Sequence, residues 1–524
     1  MNENYGELAK VDYKYFSPQN VAISTSFLVM AVVAFAAYFD GAYFIGPMTL
    51  CVFASWALFL ILVFTRYHQE YFFWWPANLV PICFMGGLWL WVGLSIMWSI
   101  SSDLTWVEFN RTGGYLAIFV FGILLGEQKK ARIWAAGLFV CVATLIAVYS
   151  LGVKVLPSVV DNLDDASRIA VPIGYANALG LLVALAIPIS IYIATSKIFY
   201  WSVRSLSVIS ATVLFICLFF TASRGATFAL AVGLIVYFIA APLRLRSFGV
   251  FVLAFIPTLF IALWSTGQAA LMQDHIEISE RVVAASALRQ YIVFALIAET
   301  SVFLIALFIG KRIQIPPIWT RFSGAIILLA LVVLISMWSF LFFSSKSSIS
   351  DWAHQAYNEF TTSDPSQRAG VGRLTEIGSS SRWPLWHEAI ADWEDNPVKG
   401  SGAQSFPLVH LMRRETGNIF VKQAHGLGFS LLAELGIVGF VLGMAFITSS
   451  LTLASQAICN LRDRWDKGLA AALLSLSIIY LIHTSYDWDW NIYALTMVYF
   501  LFTGILLGWP GSRRSPETVA SKIP

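Results

Sequence analysis

His425 stands where the one long polar segment of this chain gives way to an apolar run, and a carboxylate, Glu434, follows nine residues further on. A histidine in that position can accept a proton near neutral pH, because its unperturbed pKa is about 6.5. It can equally be a helix-start residue that faces water. Two arginines pose a second kind of chemistry. Arg224 lies in Thr221-Ala222-Ser223-Arg224-Gly225-Ala226, a turn set between two apolar runs. Each run is near the minimum needed to cross a hydrocarbon core of ~30 Å, so the turn sits at or slightly below the surface. Arginine at that depth is costly and is held there by a function or a partner, unless it snorkels to lipid headgroups. Arg168 precedes Pro172 and Gly174, which break the chain before a helix expected from about Asn177. An arginine fork is always charged and binds phosphate oxygens in pairs.

The elements that must position these residues follow from composition. Of 524 residues 58% are hydrophobic and 12% charged, and the mean hydropathy is +0.74. A soluble domain cannot bury that much apolar surface, so the class is an all-α, polytopic transmembrane bundle. Apolar segments long enough to span fall near 21–39, 45–65, 79–99, 114–127, 133–153, 178–195, 205–222, 226–242, 248–265, 291–309, 323–343, 429–453, 469–486 and 491–508. The first lacks a small-residue cleavage site and reads as a retained helix. With the N-terminus inside, 19 of the 33 Lys and Arg fall in cytoplasmic segments. Only Arg111, Lys154, Arg168, Arg224, Arg281 and Arg289 fall in short outer loops, and the remaining eight lie in 344–428. The expectation is a multi-pass membrane protein with both termini cytoplasmic and the long segment extracytoplasmic. The five cysteines read as small core hydrophobes rather than a disulfide frame.

Four parts follow: residues 1–343 as the first eleven spans, 344–428 as an extracytoplasmic subdomain, 429–508 as the last three spans and 509–524 as a cytoplasmic tail. Within 344–428, Trp352, Ala356, Tyr357 and Phe360 recur at helical spacing after Ser350. A second helix runs from Arg382 to Glu394 with Arg382, Trp386, Ala389 and Trp393 on one face, and a third from Phe406 to Arg414. Lys399-Gly400-Ser401-Gly402 is a glycine turn, plain or phosphate-approaching. Residues 273–289 suggest a short surface helix. Glu434, inside a span, is expected to pair with an arginine such as Arg224 or to hydrogen-bond a neighbouring helix, and Gly436 and Gly439 to allow close helix approach. His483, Asp487, Trp488 and Asp489 either line an acceptor entrance or form an interfacial belt. Asp161, Asp164 and Asp165, or Asp487 with Asp489, are acidic enough to consider for a metal. None has histidine at ligand spacing, and no metal is expected.

The order of these features resembles the O-antigen ligase and polymerase superfamily over roughly residues 160–490. The residues that carry it are the Ser223-Arg224-Gly225 turn, then Arg382-Trp383-Pro384-Leu385-Trp386 and Asn396-Pro397-Val398-Lys399-Gly400-Ser401-Gly402. His425 leading into Leu432-Ala433-Glu434-Leu435-Gly436-Ile437-Val438-Gly439 completes the set. The resemblance implies a metal-independent membrane glycosyltransferase that joins a glycan from an undecaprenyl diphosphate lipid to an acceptor on the outer face of the inner membrane. It puts His425, Arg224 and Arg382 in functional positions, with Arg168 before Gly174-Tyr175-Ala176-Asn177 as a further match. The chain departs from the pattern in having Gly426, where asparagine is common, and in exceeding the dozen spans usual for the ligases.

Elementary chemistry points the same way. Two or three arginines offset the charge of a leaving diphosphate, the role of metals in other transferases. His425 is then the base for the acceptor hydroxyl, with inversion. Glu434, Asp487 and Asp489 are candidates for support or the acceptor site. The partners implied are the lipid-linked donor, the bilayer and an acceptor that is a glycan, a lipid A core or a protein hydroxyl. No cofactor and no nucleic acid are expected. The rival class is a transporter of the same anionic lipid, which should show related halves and mid-membrane charges. The sequence has no internal repeat, and its polar groups gather toward one face.

Overall fold

A computed structural model describes residues 17–67, 76–160, 167–310, 382–414 and 420–509, together with six isolated positions (322, 354, 357, 358, 360 and 361). The described residues are helical with no strand. In chain order the helices are α1 (Pro18–Tyr38), α2 (Ile45–Tyr67), α3 (Pro76–Ser95), α4 (Ser102–Gly126), α5 (Lys129–Val155), α6 (Ala176–Thr195), α7 (Trp201–Thr221) and α8 (Arg224–Ala240). Then follow α9 (Arg244–Thr266), α10 (Ile278–Ile309), α11 (Arg382–Asp395), α12 (Phe406–Arg413), α13 (Leu427–Asn460), α14 (Arg464–Thr484) and α15 (Tyr493–Leu507), with single short turns between some of them. Eleven described helices are long and apolar enough to cross a membrane, and α8 and α15 are shorter apolar helices. These thirteen coincide with thirteen of the fourteen expected spans. The fourteenth, 323–343, lies outside the described residues, as do Asp161, Asp164, Asp165, Ser350, Trp352 and Ala356.

Helix α6 is buried along its whole length, whereas α10 exposes a long row of apolar side chains. The bundle is therefore a packed centre of α4, α6, α14 and α15 inside a lipid-facing rim. The α4–α15 crossing depends on glycine. Gly122 and Gly126 of α4 meet Gly504 and Gly508 of α15, and a Cβ at Gly504 would lie 2.3 Å from the Phe119 carbonyl oxygen. Both helices carry the pentapeptide Gly-Ile-Leu-Leu-Gly, the small-xxx-small spacing that lets helix backbones touch.

Four expectations need correction. The fourth span begins at Ser102, twelve residues before the apolar run, because Glu108 and Arg111 face an internal polar network rather than lipid. Arg111, assigned above to an outer loop, is thus buried inside α4. The surface helix expected over 273–289 is the beginning of α10, and Arg281 there is buried with a guanidinium nitrogen 3.4 Å from the Val153 carbonyl. Helix α13 is not continuous. Gly436 (φ 63°, ψ −167°) breaks it into a half-helix, 427–435, and a long arm. Gly436 serves this break rather than a close helix crossing, since a Cβ there would lie 2.3 Å from the Val398 carbonyl.

Residues 397–402 fill the break. The amides of Ser401 and Gly402 donate to the Ala433 and Glu434 carbonyls at 3.0 and 2.8 Å, and the Ile437 amide donates to Pro397 at 2.8 Å. Irregular backbone at this depth must find such partners, since lipid offers none. The glycine turn is therefore structural, with the amides of Gly400, Ser401 and Gly402 engaged. The half-helix, roughly 13 Å long at 1.5 Å per residue, begins two residues after His425 and is locked to the segment that joins α11 and α12.

Candidate functional site

The site forms where α6, α8, α11, α13 and the α14–α15 loop meet at one end of the bundle. Asp487, buried in that loop, is its hub. Arg382, the first residue of α11, places Nη2 2.7 Å from Asp487 Oδ2. Asn177, on the first turn of α6, donates Nδ2 to the same oxygen at 2.9 Å, and the Tyr175 hydroxyl donates at 3.1 Å. Arg168 donates Nη2 to Asn177 Oδ1 and Nε to the Thr221 carbonyl, both at 2.8 Å. A chain of bonds thus joins Arg168, Asn177, Asp487 and Arg382. Arg224 begins α8 directly after Ser223, whose side chain caps the helix by accepting from the Ala226 amide. The turn that presents it is pinned on both sides, by Arg168 at Thr221 and by the Tyr486 hydroxyl donating to the Gly225 carbonyl at 2.7 Å.

His425 closes the site from α13. Its backbone is left-handed (φ 54°), and its carbonyl accepts the Trp386 indole N–H at 2.7 Å while Trp386 stacks on Phe429. The face of α11 bearing Arg382, Trp386 and Ala389 therefore lies against the site, whereas His387 is exposed. Nδ1 of His425 is 3.0 Å from the Gln423 carbonyl oxygen. A carbonyl only accepts, so Nδ1 carries the hydrogen and Nε2 is the basic nitrogen. Trp488 joins the two halves, with ring centroids 6.4 Å from His425, 4.9 Å from Tyr175 and 5.2 Å from Tyr43.

Burial sets the charge states. It pushes the His425 imidazole below its ordinary value, Asp487 opposing and Arg382 reinforcing the shift. Burial alone would raise the Asp487 carboxyl, but the Arg382 guanidinium, with His483 and His425, outweighs it and holds the group below the usual carboxylate range. Asp489 shifts upward instead, because burial outweighs the His483 ring 2.6 Å away. His483 Nε2, Asp489 Oδ1 and Arg382 Nε are buried and have no hydrogen-bond partner among the described residues. Unpaired buried polar groups cost about 1–3 kcal/mol each, so this cluster favours a polar ligand.

Residues 282–444 match a family model described as O-antigen ligase. The chain carries an O-antigen ligase domain. The matched segment holds Arg382, His425 and Glu434, and the fold brings Arg168, Asp487 and the turn that bears Arg224 to the O-antigen ligase domain from outside it. No curated protein matches the chain.

Glu434 belongs to a different part of this domain. Of its two expected arrangements it makes the hydrogen bond to a neighbouring helix. Its carboxylate accepts the Gln404 amide at 2.8 Å and the Phe406 amide at 3.4 Å, capping α12. Asp489 sits behind Asp487, paired with His483. Sequence reasoning gave no role to Tyr175 or Asn177, and it missed the Glu108–Arg111 ion pair with Gln404 and Asn491 around it. The available signal was an acid and a base one helical turn apart beside an apolar run, a pattern that marks an inward-facing polar seam.

Proposed function

We propose that this protein is an integral-membrane, inverting glycosyltransferase that moves a glycan from an undecaprenyl diphosphate carrier to an acceptor hydroxyl, without a metal, on the outer face of the bacterial inner membrane. The observation that carries the reading is the orientation of His425. Its Nδ1–H is held by Gln423, leaving Nε2 as a base beside the polar network that contains Arg168 and Arg382. In the reaction the acceptor oxygen attacks the anomeric carbon and its proton passes to His425 Nε2. The bond from that carbon to the diphosphate oxygen breaks, with the electron pair leaving on the diphosphate. Arg168, Arg224 and Arg382 stabilise that charge, a task for preorganised cations in a site shielded from water. Asp487 positions Arg382 and, through Asn177, Arg168.

The excess of Lys and Arg in the loops opposite the site supports a cytoplasmic location for those loops and for both termini. Transfer by purified protein in detergent tests the enzyme reading against transport, which requires a sealed compartment. Glycan joined to acceptor supports the first, and its absence with active donor and acceptor would defeat it. The product separates the acceptor classes: a ladder of lipid-linked lengths marks a polymerase, and glycan on lipid A core or protein marks a ligase.

A further inference from the structure

Beside Trp488, between α3, α4 and the half-helix of α13, lies a cavity of about 30 Å3. A water needs roughly 10–15 Å3 of such space, so there is room for about two oxygen-sized groups. Its polar lining includes Glu108, Gln404, Gln423, Ser430, Glu434, Asn491 and Asp487, the carboxylate that also holds Arg382, and Trp488 and Trp490 form an aromatic wall. Among the described residues no Lys, Arg or His lines the cavity: Arg111 and Arg382 stand behind the lining carboxylates Glu108 and Asp487, to which they are paired. A lining of carboxylates and carboxamides without a cation does not attract a phosphate. Carboxylates and carboxamides are, by contrast, the groups that accept from and donate to neutral hydroxyls.

The cavity also adjoins the base. Gln423, which lines it, holds His425 Nδ1 through its carbonyl, Leu427 lines it two residues beyond His425, and Trp488 borders both. We infer that this cavity is the acceptor subsite: it takes two hydroxyl oxygens of a neutral sugar and directs a neighbouring hydroxyl of that sugar to His425. The inference rests on the transferase reading and adds which side of Trp488 receives the acceptor.

The test is ligand-observed NMR on the full-length protein in detergent. The probes are a panel of neutral disaccharides (cellobiose, maltose, lactose, chitobiose) and, separately, farnesyl diphosphate. Wild-type protein should bind at least one disaccharide, and Ser430→Leu, which fills the cavity and leaves the Glu108–Arg111 pair in place, should weaken that binding at least tenfold with farnesyl diphosphate binding unchanged. Arg382→Ala should do the reverse. Ser430→Val reads the same point should the leucine variant fail to fold, and disaccharide binding should persist in chelator, because the cavity binds hydroxyls and not a cation. The subsite is overturned if no disaccharide binds the wild type, if filling the cavity changes nothing, if chelator abolishes binding, or if Arg382→Ala removes both probes alike. Failure of farnesyl diphosphate to bind, with the disaccharide results as expected, would instead remove the donor reading and leave the sugar subsite standing.

Discussion

The two sides of Trp488 use the same residue types to opposite ends. On the α6–α8–α11 side, Arg382 pairs with Asp487, Asn177 links that carboxylate to Arg168, and the turn that bears Arg224 is tied to the same loop through Tyr486. On the α3–α4 side, one arginine is consumed by Glu108 while Glu434 spends its oxygens on the amides that open α12. Cations are part of the first side, whereas no Lys, Arg or His among the described residues lines the cavity on the second. The lesson is that arginine count alone does not mark a phosphate site. Arg111 is buried, and its charge is neutralised by its neighbour three residues back.

The most severe way to break this division is at the boundary. His425→Ala should lower kcat by about 10²–10⁴-fold, the range for loss of a general base, with little change in donor KM. Near-normal turnover in a membrane transfer assay would sink the assignment. Arg382→Ala comes next. It leaves Asp487 buried without its cation, a change that costs about 3–5 kcal/mol when one member of a buried pair is removed. The expected readout is a large rise in donor KM, with Arg382→Lys recovering part of it because lysine restores charge but not the fork. If Arg382→Ala raised the acceptor KM instead, the two sides would have to be exchanged. Asn177→Leu removes the bridge between Arg168 and Asp487 and should cost about 1–3 kcal/mol, seen as a smaller donor KM increase without a change in acceptor KM.

How much of this was legible in the sequence depends on the physical signal each part leaves. Thirteen described helices coincide with expected spans because a lipid-facing helix writes its length in apolar residues, as α9 does. Helix α4 was harder to delimit because its first turns face protein, where Glu108 and Arg111 satisfy each other and hydropathy is uninformative. The break at Gly436 was invisible for a related reason. Leu435-Gly436-Ile437 reads as ordinary apolar helix, and the partners for the broken backbone come from residues 397–402. In the site, His425 and the arginines stood out as charges at an interface. Their grouping did not, since Asp487 lies more than a hundred residues from Arg382 and over three hundred from Asn177.

Gly504→Ala probes the scaffold that both sides share. Its Cβ would sit 2.3 Å from the Phe119 carbonyl, so α4 and α15 must separate, at about 1–3 kcal/mol for overpacking. The detergent-solubilised protein should melt earlier, and the two KM values should stay in proportion because α4 and the α15 loop move together. A selective change in acceptor KM would show instead that the α4 side is mechanically separate from the arginine side.

The smallest effect is in the pH profile, and it reports the boundary directly. His425 must be neutral to accept a proton, so activity is present above its folded pKa and lost as pH falls through it. Burial lowers that pKa, so the acid limb of kcat should fall below the usual value of about 6.5. Asn491→Asp adds a carboxylate on the cavity side, which favours the imidazolium and should move the limb to higher pH, whereas Asn491→Leu, of similar size without charge, should leave the limb in place. An unmoved limb in the aspartate variant would mean that the cavity and His425 do not share one electrostatic environment. The acceptor would then have to approach the base from the arginine side.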